Sequence, residues 1–234
     1  TLQTEASPPP GEYGLVLGSV GKETPAVDQK LTINSGYDSR TRDSLITKVG
    51  GITLGKGDAT IVVPGGTLEA GIIYGGGGKS TIELGSALTG EVKLGALSSV
   101  AKGRLDVGVL YGYDTINQLG GLWSYNGRMD QTDLLAQGVV RVKADDSATL
   151  KSITARERFD KENSPLGING RSVIAVSGAL TIGKGGIQEQ GTARASLLVA
   201  SRDGADAHVD LYGESNYSGP TIVARGGSLH AHTD

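Results

Sequence analysis

His208 to His232 reads HVDLYGESNYSGPTIVARGGSLHAH, and the fold is decided by how this stretch is read. It holds three short apolar–polar alternations, Val209/Leu211, Ile222/Val223 and Leu229. They lie among the turn clusters Gly213–Ser215, Ser218-Gly219-Pro220 and Gly226-Gly227. Alternation at period 2 bounded by Gly, Pro, Asn and Ser is the signature of strand and turn. The turns recur at intervals too short for a helix to fit between them. Looser copies of the same pattern fill the rest of the chain.

Composition agrees. Glycine supplies 38 of 234 residues, about twice the usual share, while aromatics make up only 4% and Phe, Trp and Met occur once each. A compact globular core relies on large side chains, so these numbers favour a thin core of Val, Ile, Leu and Ala that grows along one axis. The net charge of −3 gives no electrostatic footprint for nucleic acid or an anionic membrane. There is no cysteine, hence no disulfide framework, and no apolar run long enough for a membrane-spanning helix. Residues 1–12 (TLQTEASPPPGE) are polar and proline-rich, show no signal-peptide pattern, and are expected to be a flexible segment ahead of a single domain over 13–234.

Strands are predicted at Tyr13–Leu17, Lys30–Ile33, Leu45–Lys48, Ile52–Leu54, Thr60–Val63, Thr67–Glu69, Gly71–Tyr74, Thr81–Leu84, Glu91–Leu94 and Arg104–Leu110. Further strands are predicted at Val139–Lys143, Thr149–Thr154, Ser172–Val176, Leu180–Ile182, Ser196–Ala200 and Val209–Leu211. Two excursions interrupt them. Residues 111–137 contain the one Trp, the one Met and three tyrosines, and Asp130–Gln137 is predicted to form two turns of helix capped by Asp130 or Thr132. Residues 154–171 form a charged excursion that ends in an Asn169-Gly170 turn. An internal repeat also shows: SLITKVGGITLGKG (Ser44–Gly57) aligns without gaps onto SVIAVSGALTIGKG (Ser172–Gly185).

Short strands, glycine corners and a repeated two-strand unit predict an all-β fold of the parallel β-helix (β-solenoid) kind. Each coil's strands would pair with those above and below, leaving only the end rungs unpaired. A β-sandwich would call for longer alternating strands with aromatic anchors, and a propeller for a fourfold strand pattern every 40 to 50 residues or so. Neither pattern is present.

On these residues, Val209–Leu229 resembles the passenger-associated repeat of bacterial autotransporters. Val209, Leu211, Gly213, Tyr217, Ser218, Gly219, Pro220, Thr221, Val223, Gly227 and Leu229 fall on that repeat's positions. The turn before Gly227 is one residue longer than usual, and Asn216 replaces the usual Thr. The resemblance implies a right-handed parallel β-helix, secreted and displayed on the bacterial outer surface. It covers only this repeat and carries no activity.

The apparent chemical motifs weaken when read closely. GGGGKST (Gly75–Thr81) suggests a phosphate loop, but Ile73 stands where the first glycine belongs and a strand follows where a helix is needed. His208, His230 and His232 cluster near the end, with His230 and His232 sharing one strand face, yet no cysteine or spaced acid completes a zinc set. Asp203, Asp206 and Asp210 lack the spacing of a calcium loop. Asp145-Asp146, as strand neighbours, would face opposite sides rather than flank a sugar bond. Asn216-Tyr217-Ser218 fits a glycosylation sequon inside the repeat.

No catalytic, cofactor-binding or metal-binding residue is therefore assigned. The sequence points to a non-enzymatic structural or adhesive surface protein, with no cofactor. Its expected partners are a surface glycan or protein held on the two excursions, or further copies of itself along the axis. A self-assembling filament or sheath subunit is the first alternative and a carbohydrate-active β-helix enzyme the second.

Overall fold

The computed structural model describes residues 2–3, 14–17, 28–33, 46–85 (apart from 56, 76 and 77), 102–156, 171–202 and 204–232. Among these the chain is all strand, without helix. The first strands are β1 (Leu2–Gln3), β2 (Gly14–Leu17), β3 (Gln29–Thr32), β4 (Ile46–Leu54), β5 (Ala59–Val63), β6 (Gly66–Tyr74), β7 (Ser80–Leu84) and β8 (Lys102–Tyr111). They are followed by β9 (Thr115–Val142), β10 (Ser147–Ala155), β11 (Arg171–Val176), β12 (Ala179–Glu189), β13 (Arg194–Val199), β14 (Ala207–Leu211), β15 (Thr221–Val223) and β16 (Gly227–Ala231).

From β2 onward two interleaved ladders of parallel strands form, a main or long one and a short one. The long ladder runs β2-β4-β6-β8-β9-β10-β12-β14-β16. Short strands β3, β5 and β7 lead onto the start of β9, and β11, β13 and β15 lead away from its end. β9 thus joins both sets, with successive parts pairing to β7, β8, β10 and β11. The expected all-β, mainly parallel arrangement is present.

The alternation read in the sequence sets the core. Ile52, Leu54, Ile73, Leu110, Met129, Leu150, Leu180, Ile182 and Val209 point inward along the long ladder and are buried. Ile61, Ile82 and Ile116 form a matching row on the short strands β5 and β7 and the start of β9. Leu134, Ile153 and Ile187 form another. In parallel pairing identical parity is kept from strand to strand, so one inward residue stacks on the next and the core becomes a set of aliphatic columns.

The repeat has a structural counterpart. Ile52–Leu54 and Leu180–Ile182 both lie on the long ladder but two residues out of step: through β6, β8, β9 and β10 the register carries Gly51 to Thr181, whereas the alignment matches Gly51 with Ala179. In the first copy Ile46–Leu54 form one continuous strand, β4, whereas in the second Ser177-Gly178 separates β11 from β12.

Several expectations need correction. Residues 111–137 are not an excursion and Asp130–Gln137 is not a helix: β9 runs through all but the start of this stretch. Trp123, Tyr125, Met129, Leu134 and Ala136 are buried there, so the two helical turns would have pulled Leu134 and Ala136 out of their columns. Of the predicted Leu45–Lys48 strand, Ile46–Lys48 joins Ile52–Leu54 in β4, and Thr67–Glu69 joins Gly71–Tyr74 in β6, while Leu45 lies outside the described residues. Within residues 1–12, expected to be flexible, Leu2 and Gln3 pair antiparallel with Leu17 and Val16. Glu91–Leu94 and most of the 154–171 excursion (157–170) lie outside the described residues, while Thr154 and Ala155 close β10 and Arg171 opens β11.

Candidate functional site

Because the inward residues of the long ladder are fixed by the core, the alternate residues form one continuous outward face. Its register runs Gly51, Ile72, Val109, Arg128, Thr149, Thr181, Asp210, His230. Beside it run Thr53, Tyr74 and Tyr111. The chemistry of this face changes along its length, from apolar and aromatic, through Arg128 and two threonines, to a histidine–aspartate cluster.

At the aromatic end Tyr74 and Tyr111 are 43% and 48% exposed, and Ile72 is exposed beside them. The two rings stack at 5.2 Å between centroids and 21° between planes. Parallel register brings this pair together, since direct cross-strand neighbours on one face lie close enough for rings to meet. Of the aromatics in residues 111–137, a stretch expected to hold a partner, Tyr111 is exposed, whereas Tyr113, Trp123 and Tyr125 are buried. Tyr74 was missed, because nothing in the sequence showed which strand would lie next to Tyr111.

At the other end His232 Nε2 lies 2.9 Å from Asp210 Oδ1, and His230 Nδ1 lies 3.5 Å from the same oxygen. The His232 ring also stacks on Tyr212 at 4.2 Å, the two planes nearly parallel. An open groove beside them is lined by Asp206, His208, Asp210, Ser228 and His230 among others. The hydrogen bond from His232 holds the Asp210 carboxyl below its ordinary range, against partial burial, which acts the other way, and neighbouring His208 and His230 assist. The structure thus brings together the three histidines and Asp206 and Asp210. Asp203 lies outside the described residues. Among the described residues no three His, Asp or Glu side chains are placed to hold a metal ion.

A third polar cluster is built into the wall. Arg104 Nη2 donates to Asp146 Oδ1 and Asp106 Oδ2, each at 2.7 Å, and Nε donates to Asp106 Oδ2 at 3.1 Å. The hydrogen bond to Asp146 is the main reason the guanidinium pKa is raised; burial opposes it, and Asp106 adds to the effect. Asn126 then donates to Asp106 Oδ1 and accepts from the Ser147 amide, so one network spans β8, β9 and the start of β10. Asp145 and Asp146 are turn residues, not strand neighbours; Asp145 is exposed and Asp146 buried in this clasp. Two carboxylates gripping one guanidinium tie the wall together, so Asp146 is engaged in this clasp rather than paired with Asp145.

The glycine run before Thr81 has a packing explanation. A Cβ at Gly75 would sit 2.3 Å from the Gly112 carbonyl oxygen, and one at Gly78 2.4 Å from Gly57. These glycines let successive corners stack in close contact, and Ser80–Leu84 continues as strand rather than as the helix a phosphate loop requires. Gly76 and Gly77 lie outside the described residues. In the sequon, Asn216 bridges to Gln188, while Ser218 is engaged by Glu189, to which its amide donates at 2.8 Å and its hydroxyl at 3.1 Å.

Neither a family model, a curated protein nor a solved structure matches the chain.

Proposed function

We propose that the chain is a stretch of right-handed parallel β-helix acting as a non-enzymatic, adhesive scaffold on a bacterial cell surface, in the manner of an autotransporter passenger. The observation that carries this reading is the unbroken long ladder and the single outward face it creates. Two further contacts favour a helix with three walls. Asp133 donates its amide to the Asp114 carbonyl, which links the β7 side to the later part of β9. Gly138 packs on Gly121, where a Cβ would lie 2.4 Å from the carbonyl oxygen, so the end of β9 lies against its own middle. Handedness and surface location rest on the resemblance of Val209–Leu229 to the passenger repeat.

The adhesive patch is the Ile72, Tyr74, Val109 and Tyr111 strip, and its ligand is a surface glycan. Aromatic edges and apolar side chains cover the CH faces of a sugar, while the phenol groups and the nearby Arg128 serve its hydroxyls. Beads coated with the chain should bind a glycan-coated surface, and Tyr74→Ser with Tyr111→Ser should reduce retention about tenfold. Equal retention of the two kinds of bead would overturn the glycan assignment; retention by a protein-coated surface alone would redirect it to a protein ligand.

A filament subunit is the second reading, and β15 favours it. Val223 continues the inward column Val142, Val176, Val199, yet it is 46% exposed. A second copy stacked on β15 and β16 would cover it. Mass that rises with concentration in the same bead-coating stock would support assembly, and a constant monomer mass would exclude it.

A further inference from the structure

β16 pairs with β14 over Ala207–Leu211, and His230 stands directly opposite Asp210. His232, just past the strand, reaches the same carboxylate from the next outward position. The two imidazoles therefore converge on one oxygen of the preceding long strand, His230 from β16 itself and His232 from the residue that follows it. We propose that β16 is held to β14 by a proton-controlled latch, in which protonated His230 and His232 clasp Asp210 in mildly acidic solution and relax to neutral contacts above neutral pH.

Every element packed on this carboxylate bears on the sign. β12 places uncharged Thr181 opposite Asp210 and Ala179 opposite His208, with the backbone of Lys184 further along, beside Gly213. β14 itself carries His208 two residues before Asp210, and Asp206 and Tyr212 flank the strand. β16 contributes Ser228 and His230, followed by His232. Full protonation would give three imidazolium groups facing two carboxylates, Asp206 and Asp210, so part of the mutual repulsion is compensated within the groove. Imidazoles change charge between about pH 5 and 8, where Asp210, held below the ordinary carboxylate range, stays ionised. Lowering the pH through that window turns neutral contacts into ion pairs across β14 and β16. The gain is lost again only when Asp210 itself is protonated.

The latch is independent of the adhesive reading, because it concerns the attachment of one strand and not a ligand. Its test is amide hydrogen exchange at Leu229, His230 and Ala231, measured against Leu180–Ile182 of β12 as an internal reference. Rates would be compared at about pH 5.5 and about pH 8 after correction for intrinsic exchange. Relative protection of β16 should be about two- to fivefold greater at the lower pH, the size expected of partly exposed ion pairs. Asp210→Asn should abolish the difference. His232→Phe keeps a ring for Tyr212 to stack on but carries no proton, so it should reduce the difference while β12 stays protected. Equal protection of wild-type β16 at the two pH values would overturn the latch, as would a pH effect that survives in Asp210→Asn. Should Asp210→Asn fail to fold, a pH effect undiminished in His232→Phe combined with His230→Gln would overturn it equally.

Discussion

Gly103 shows how a chain with few aromatic residues still builds around one. The Trp123 side chain lies over the residue paired with it on β8, and a Cβ at Gly103 would meet the indole at 2.3 Å. Trp123 is fully buried, its bulk accommodated by the absence of a side chain below it. Gly103→Ala should therefore destabilise the protein by about 1–3 kcal/mol, as overpacking does, and a denaturant titration followed by Trp123 fluorescence reads it directly. Next to it the Tyr125 hydroxyl donates to Gln118 Oε1 at 2.7 Å, and Gln118 Nε2 reaches the carbonyls of Gln137 and Val139. Burial holds the Tyr125 hydroxyl well above its ordinary pKa. Composition argued correctly for a thin aliphatic core but not for this aromatic pocket, because a Trp or Tyr is read as core only when the small residue beneath it is known. That residue comes from a neighbouring strand, and strand pairing is not written locally.

At the scale of the element, the corner between β12 and β13 rests on Glu189. Its Oε1 accepts from the Ala195 amide at 2.7 Å and from the amide and hydroxyl of Ser218. Partial burial acts to raise its pKa, but the hydrogen bonds from Ser218 and Ala195, helped by Arg194, outweigh it and leave the carboxyl below its ordinary range. Its contribution to stability is therefore present above the unfolded-state pKa, near 4.3, and is lost as the pH falls through the lower folded value. Glu189→Gln should flatten the acid limb of a stability–pH curve below about pH 4 and leave the curve above about pH 6 parallel to wild type; an unchanged acid limb would show that Glu189 is unlinked. Strands were legible where Val, Ile and Leu at period 2 lie between glycine turns, and were missed over most of β9. The failure at Asp130–Gln137 has a specific cause. Thr132, one of the two expected caps, instead donates its hydroxyl to the Tyr113 carbonyl at 2.9 Å, and Asp133 accepts from Ser152 Oγ at 2.6 Å and Lys151 Nζ at 2.8 Å on the next strand. The polar residues there serve lateral contacts and do not cap a helix.

For the whole molecule, stability is a sum over neighbouring strands, each pair contributing its own register. β9 is the exception, because one strand without an intervening turn carries the pairings to β7, β8, β10 and β11. Short insertions at the exposed turn positions Asp145, Gly191 and Gly204 should leave the midpoint of unfolding nearly unchanged, whereas an insertion within Leu122–Val142 should abolish cooperative unfolding. A calorimetric scan of both classes checks this; equal tolerance would show that β9 does not couple the two sets of short strands. The sequence made the parallel array readable and left the candidate surface hidden, since Tyr74 and Tyr111, or Asp210 and His230, become neighbours only through pairing between distant strands. Pairing also gives the outward face a metric. Adjacent strands stand about 4.8 Å apart, so each outward position from Ile72 to His230 is a graduation on a straight scale. Exchanging one side chain on it shifts a chemical group by whole divisions relative to its neighbours, and the chain can vary what it displays without disturbing the distance at which it displays it.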